Sequence, residues 1–120
     1  MKINIEEIRG IKIAVIESDE IELSDIQSAV DILGNCNYQG ASKIVIKEEN
    51  ITPDFFDLKT RIAGEILQKF SNYRIQLAIV GDFTEYTSKS LQDFIYESNK
   101  VGRIIFVDSL SVAKERLINS

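Results

Sequence analysis

Carboxylates that stand directly after apolar runs are the residues of this sequence best placed to do chemistry. Glu17 and Asp19 follow one such run, Glu48 and Glu49 a second, Asp82 a third and Asp108 a fourth. Three or four oxygens drawn together can hold magnesium, and an aspartate among them can accept a phosphoryl group. The plainer role of Asp at these junctions is to close turns and cap helices. No lysine follows Asp108 to steady a phosphoryl group, and no Walker motif is present.

A second group lies in Glu48–Leu58, which holds the only proline, Pro53, the adjacent rings Phe55 and Phe56, and the carboxylates Glu48, Glu49, Asp54 and Asp57. Consecutive residues of a helical turn point about 100° apart. One ring can therefore face the core while its neighbour reaches the surface, as a partner's anchor or as the lining of an apolar groove. The alternative buries both. Thr60, just after Asp57, falls where a first helical turn is expected, and free amides there favour phosphate. In the plainer reading Asp57 is an N-cap and Thr60 an ordinary first-turn residue. Tyr86–Ser90 offers hydroxyls and Lys89 to an anion at another helix start, with capping as its ordinary explanation.

Other chemistries are closed by residue type. The chain has no histidine, so Ser-His-Asp and Cys-His nucleophiles and the usual Cys/His zinc sites are impossible. The single cysteine, Cys36, cannot form an intrachain disulfide, and its place beyond a helix C-terminus disfavours thiolate. A chain of 120 residues leaves little room for a sugar cleft between paired carboxylates. No metal, cofactor or catalytic residue is assigned.

These residues need a scaffold, and the bulk composition predicts one domain. A hydrophobic fraction of 44% with 28% charged residues is that of an ordinary globular protein. A net charge of −5 without any basic run argues against nucleic acid and against an anionic membrane surface. The opening Met1–Glu7 carries carboxylates where a signal peptide needs an apolar core, and the longest apolar runs have four residues. The expectation is a soluble, cytoplasmic protein.

Ile3, Ile5 and Ile8, then Ile11, Ile13 and Val15, repeat at strand spacing around Arg9-Gly10 and predict a hairpin. Ser24–Gln27 matches a capping box ahead of the helical stripe Ile26, Ala29, Val30 and Leu33, which Gly34 or Asn35 can end. Lys43–Lys47 is a short strand. Thr52-Pro53 can open a single turn before Asp57 starts a long helix, Lys59–Phe70, with the stripe Leu58, Ile62, Ile66 and Phe70. Gly64 inside that helix costs about 1 kcal/mol, an expense that close packing within the monomer is expected to offset. Ile75–Val80 and Ile104–Val107 are buried strands. Thr87 or Ser88, and then Ser109, cap two further helices. The order ββαβαβαβα predicts a mainly parallel sheet between layers of helices, with one antiparallel hairpin at its start.

Two resemblances add to this reading. The blocks Asn50–Leu58, Ala63–Phe70, Leu77–Phe83, Ser90–Asn99 and Phe106–Asp108 resemble a bacterial domain-of-unknown-function family, DUF4180, which lends no activity. The order of elements resembles the STAS fold of anti-sigma-factor antagonists and implies a three-layer α/β sandwich. Phosphorylatable STAS domains carry an Asp-Ser-Ser/Thr-Gly motif near Asp57. Here Leu58 and Lys59 occupy the serine positions, and the nearest hydroxyl is Thr60. The resemblance therefore implies a partner-binding regulatory module and does not carry over the phosphoserine.

Two functions follow. One is a non-enzymatic module that binds a protein partner or a second copy of itself through Ile51–Thr60, with Asp54, Phe55, Phe56, Asp57 and Thr60 at its centre. The other is a small-ligand binder, or a metal-dependent phosphoryl-transfer or hydrolytic enzyme, using Glu48, Glu49, Asp82 and Asp108.

Overall fold

Apolar alternation and turn chemistry lay the elements out in the expected order. The computed structural model describes residues 1–119. Its strands are β1 (Lys2–Ile8), β2 (Ile11–Glu17), β3 (Lys43–Lys47), β4 (Gln76–Val80) and β5 (Ile104–Val107). Its helices are α1 (Ile26–Tyr38), α2 (Ile62–Asn72), α3 (Lys89–Val101) and α4 (Leu110–Ile118). Arg9 and Gly10 both take positive φ, 53° and 80°, in a two-residue hairpin turn whose twist matches that of its strands. The sheet order is β1-β2-β3-β4-β5; β1 is antiparallel to β2 and every other pairing is parallel.

That order decides where the helices go. When parallel strands are added in one direction, right-handed crossovers lay every connecting helix on the same face. One core accordingly joins Ala14, Ile44, Leu77 and Phe106 of the sheet to Leu33 of α1, Ile66 of α2 and Leu91 of α3. The opposite face of the sheet, with Ile13, Val45, Ala78 and Ile105, packs on Ala113 and Leu117 of α4 alone. No helix among the described residues is long and apolar enough to cross a membrane.

Four expectations need correction. Helix α1 runs through Gly34 and Asn35 to Tyr38 and stops at Gln39, with Gly40 at φ +84°. Its apolar stripe continues to the buried Cys36, and that burial outweighs the cost of one glycine. Its capping box is Asp25 with Ser28: Asp25 Oδ1 accepts from the Ser28 amide at 2.8 Å, and Ser28 Oγ accepts from the Asp25 amide at 3.0 Å. The expected helix Lys59–Phe70 is broken. Asp57 caps a separate 3₁₀ turn, Leu58–Thr60, and Arg61 at φ 65° turns the chain before α2 begins. Gly64 is exposed, and a Cβ placed there meets nothing within 4 Å, so close packing does not explain it.

The β5 edge is closed by a side chain. Asn99 Oδ1 accepts from the Phe106 amide at 2.7 Å, and Asn99 Nδ2 donates to the Phe106 carbonyl at 3.3 Å. The carboxamide thus takes the place of a neighbouring strand at that residue, blunting an edge open to pairing.

Candidate functional site

The loops that follow β3, β4 and β5 meet at the C-terminal edge of the sheet. After β3 come three one-turn 3₁₀ helices, Glu48–Asn50, Pro53–Phe56 and Leu58–Thr60. Their anchor is Asn50, the one buried polar residue among those described. Its Nδ2 donates to the carbonyls of Ser18 and Glu20, both at 2.8 Å, and its own carbonyl accepts from the amides of Glu22 and Leu23. The β2–α1 loop is thereby tied to the end of β3.

Phe55 and Phe56 are 0% and 6% exposed, which corrects the reading of one ring as a surface anchor. Turning one ring into solvent would forfeit about 1.5–3 kcal/mol of apolar burial, and the core has room for both. They start an aromatic chain: Phe55 meets Phe56 edge-on, Phe56 stacks on Tyr86, and Phe83 stands edge-on to Phe106 at 5.2 Å. The Tyr86 hydroxyl donates to the Glu48 carboxylate. Burial first, and then Glu48, push the Tyr86 phenol well above its ordinary range. The Glu48 side chain also lies against the backbone of Gly81; a Cβ at position 81 would stand 2.7 Å from Glu48 Cβ and 2.5 Å from Oε1. Position 81 is glycine because Glu48 occupies the space.

The expected convergence of carboxylates is not found. Glu48 and Glu49 border a small hollow of about 290 Å³ with Ile21, Pro53 and Tyr86. Asp82 and Asp108 border a different opening. Glu17 and Asp19 are exposed in and after the end of β2. Among the described residues no three Asp, Glu, Cys or His side chains lie close enough to hold a metal ion. Asp82 Oδ1 is also engaged locally, accepting from the Thr84 hydroxyl at 2.6 Å and the Thr84 amide at 3.0 Å, and these bonds lower its pKa. Asp54 and Asp57 are exposed, and Asp57 caps a turn.

Thr60 is exposed but lies ahead of α2 rather than in its first turn. Its hydroxyl donates to the carbonyls of Asp54 and Asp57 at 2.7 and 2.8 Å. In the Tyr86–Ser90 segment, Ser88 caps α3 and Lys89 pairs with Asp93 at 3.0 Å. Cys36 is buried, and burial pushes its thiol up to about 11.

The larger opening has a topological cause. The chain leaving β4 passes to α3 on the three-helix face, whereas the chain leaving β5 passes to α4 on the other. Two adjacent loops diverge and leave a crevice of about 980 Å³ outside the strand ends, where α/β sheets commonly hold ligands. Phe83, Ile95, Phe106 and Val112 supply apolar lining; Asp82, Thr84, Gln92 and Asp108 supply polar groups. Of these, sequence reasoning singled out only Asp82 and Asp108. Gly81-Asp82 directly after a buried strand was the available signal for the rest.

Fold and crevice together define an α/β domain with a mixed five-stranded sheet and an open site at its C-terminal edge. Residues 8–117 match the family model described as Domain of unknown function (DUF4180), and the chain belongs to that family. Comparison with curated proteins and with solved structures gives no match.

Proposed function

We infer that this domain is a non-enzymatic regulatory module that binds a small molecule in the crevice between the ends of β4 and β5. The observation supporting this is the divergence of two neighbouring loops to opposite faces, which opens a mainly apolar recess with a few polar groups at its rim. The ligand class that suits the lining is a flat apolar body against Phe83 and Phe106 with an amine near Asp82 and Asp108. The one hydroxyl–carboxylate pair in the recess is Thr84 with Asp82, and the Thr84 bonds lower the Asp82 pKa and make it a weaker base than usual, so binding suits the recess better than catalysis. Likeness of element order to STAS domains supports the regulatory part of the reading, and a bacterial cytoplasmic setting belongs to the same proposal. Contact with a protein partner would then follow ligand occupancy rather than rest on Phe55 and Phe56.

A thermal-shift screen of aromatic amines tests this. A ligand of the crevice raises the melting temperature by mass action and loses that effect in Val112→Trp, which fills the recess. A panel without hits, or hits that stabilise Val112→Trp equally, would count against it. Millimolar magnesium alone is expected to leave the melting temperature unchanged.

A further inference from the structure

The two edges of the sheet are finished differently. At β5 the Asn99 carboxamide takes up the backbone of Phe106, whereas β1 carries no such cover. Which residues of β1 face its free side follows from the hairpin. Ile8 and Ile11 flank the two-residue turn and stand opposite each other, and residues so placed exchange both ladder hydrogen bonds. Bonded and non-bonded pairs alternate along an antiparallel ladder, so Lys2, Asn4, Glu6 and Ile8 bond to β2. Ile3, Ile5 and Glu7 turn their amides and carbonyls outward, and none of these groups bonds to another element among the described residues. A seven-residue strand left open in this way is a template for one more strand.

The side chains of β1 select what can be added. Ile3 and Ile5 lie on the three-helix face and pack against its core. The even-numbered residues lie on the α4 face, where Glu6 pairs with Lys114 at 2.6 Å. Only outward-facing residues can exchange hydrogen bonds with a second copy of the same edge, so the possible antiparallel registers differ in steps of two residues. With the two-fold axis at Asn4, Lys2 stands opposite Glu6 of the second copy and Ile3 opposite its Ile5, each pair occurring twice. The two Asn4 carboxamides meet on the axis. An axis at Ile3 sets Lys2 against Asn4 instead, and an axis at Ile5 sets Ile3 against Glu7 and Lys2 against Ile8. An axis at Glu6 brings two carboxylates face to face. One register thus matches opposite charges and apolar groups together, and cross-strand pairs of these kinds are what stabilise a sheet.

We propose that the free edge of β1 is a self-association surface, on which a second copy of this chain docks antiparallel about Asn4 and joins two five-stranded sheets into one. In that arrangement the Ile3 amide donates to the Ile5 carbonyl of the second copy, the Ile5 amide of the second copy donates to the Ile3 carbonyl, and the two-fold repeats both bonds. The contact is isologous and closes at two copies. Asn99 keeps β5 from extending the joined sheet further. An unrelated peptide strand could take the same backbone bonds, but it would not repeat the Lys2–Glu6 and Ile3–Ile5 matches about an axis. In strand order β1 lies at the far edge from β4 and β5, so this inference goes beyond the crevice reading and stands or falls without it.

Sedimentation equilibrium from micromolar to millimolar protein provides the test. The expected result is a reversible monomer–dimer equilibrium with no larger species. Lys2 is exposed, so Lys2→Glu spares the fold while placing two like-charge pairs in the dimer, and it should weaken association about tenfold. The double variant Glu6→Lys/Lys114→Glu keeps its internal ion pair with the signs exchanged and should weaken self-association to the same degree. Mixing these two variant chains restores opposite charges at both positions, and the mixed dimer should form as readily as the wild type. Amide exchange of the unmodified chain supplies an independent reading, with Ile3 and Ile5 slowing as concentration rises. A chain that stays monomeric at millimolar concentration, a dimer indifferent to Lys2→Glu, a mixture no tighter than its components, or Ile3 and Ile5 amides whose exchange ignores concentration would overturn the proposal.

Discussion

The hydroxyl of Tyr86 donates to the carboxylate of Glu48, joining the loop after β4 to the turn after β3. Because the same carboxylate lies against Gly81 at the start of that loop, the Glu48 side chain holds the loop after β4 at two points, and each contact responds when the other is altered.

Gly81→Ala is the sharpest test of that arrangement. The new methyl would meet Glu48 Cβ at 2.7 Å, an atom that cannot swing away as a carboxylate end can. Overpacking of this kind costs about 1–3 kcal/mol. Urea unfolding should show the loss, and an unchanged midpoint would mean that Glu48 does not occupy the space above Gly81.

Tyr86 should give stability a pH dependence at the alkaline end. Its phenol is held above the ordinary value of 10.0, chiefly by burial and then by Glu48. A raised folded-state pKa favours the protonated fold, so the contribution is fully present below pH 10 and declines as pH rises beyond it. Urea midpoints between pH 8 and 11 should fall more steeply for the wild type than for Tyr86→Phe. Parallel curves would contradict the assignment.

Asn50→Ala removes two donors from the Ser18 and Glu20 carbonyls and should cost about 1–3 kcal/mol. Asn50→Asp should cost more, because it buries a carboxylate facing those two carbonyls. Calorimetric melting of both variants gives the order; a milder effect for Asp would show that the side chain is not enclosed.

Gly64→Ala should stabilise the chain by about 0.5–1 kcal/mol, since a methyl on that exposed helical surface adds helix propensity and meets nothing. A lower melting temperature would point to a close approach by another molecule at this position.

Asn99→Val should leave the fold intact while opening the β5 edge at Phe106. Light scattering against concentration is expected to show association that the wild type lacks; equal scattering would remove the edge-closing role.

Much of the fold was legible because apolar spacing reports which face of an element is buried. The hairpin around Arg9-Gly10, the parallel strands and the Ser88 and Ser109 caps all follow from local chemistry. Arg61 was not legible: a left-handed arginine has no local signature, so the stripe from Leu58 to Phe70 read as one helix. Phe55 and Phe56 misled because helical spacing separates neighbours, whereas the structure packs both rings into the core. The acidic site failed for a related reason. Junction carboxylates can be counted in a sequence, but the turning of Glu48 toward Tyr86 and the opposite exits of β4 and β5 are tertiary facts.

The central claim is that the crevice outside β4 and β5 takes a small ligand, and amide NMR tests it most directly. Titrating an aromatic amine identified by thermal shift should move the amides of Gly81–Thr84 and Phe106–Asp108 together and saturably, with Val112→Trp abolishing the response. Shifts scattered over the surface, or a response undiminished in Val112→Trp, would contradict it.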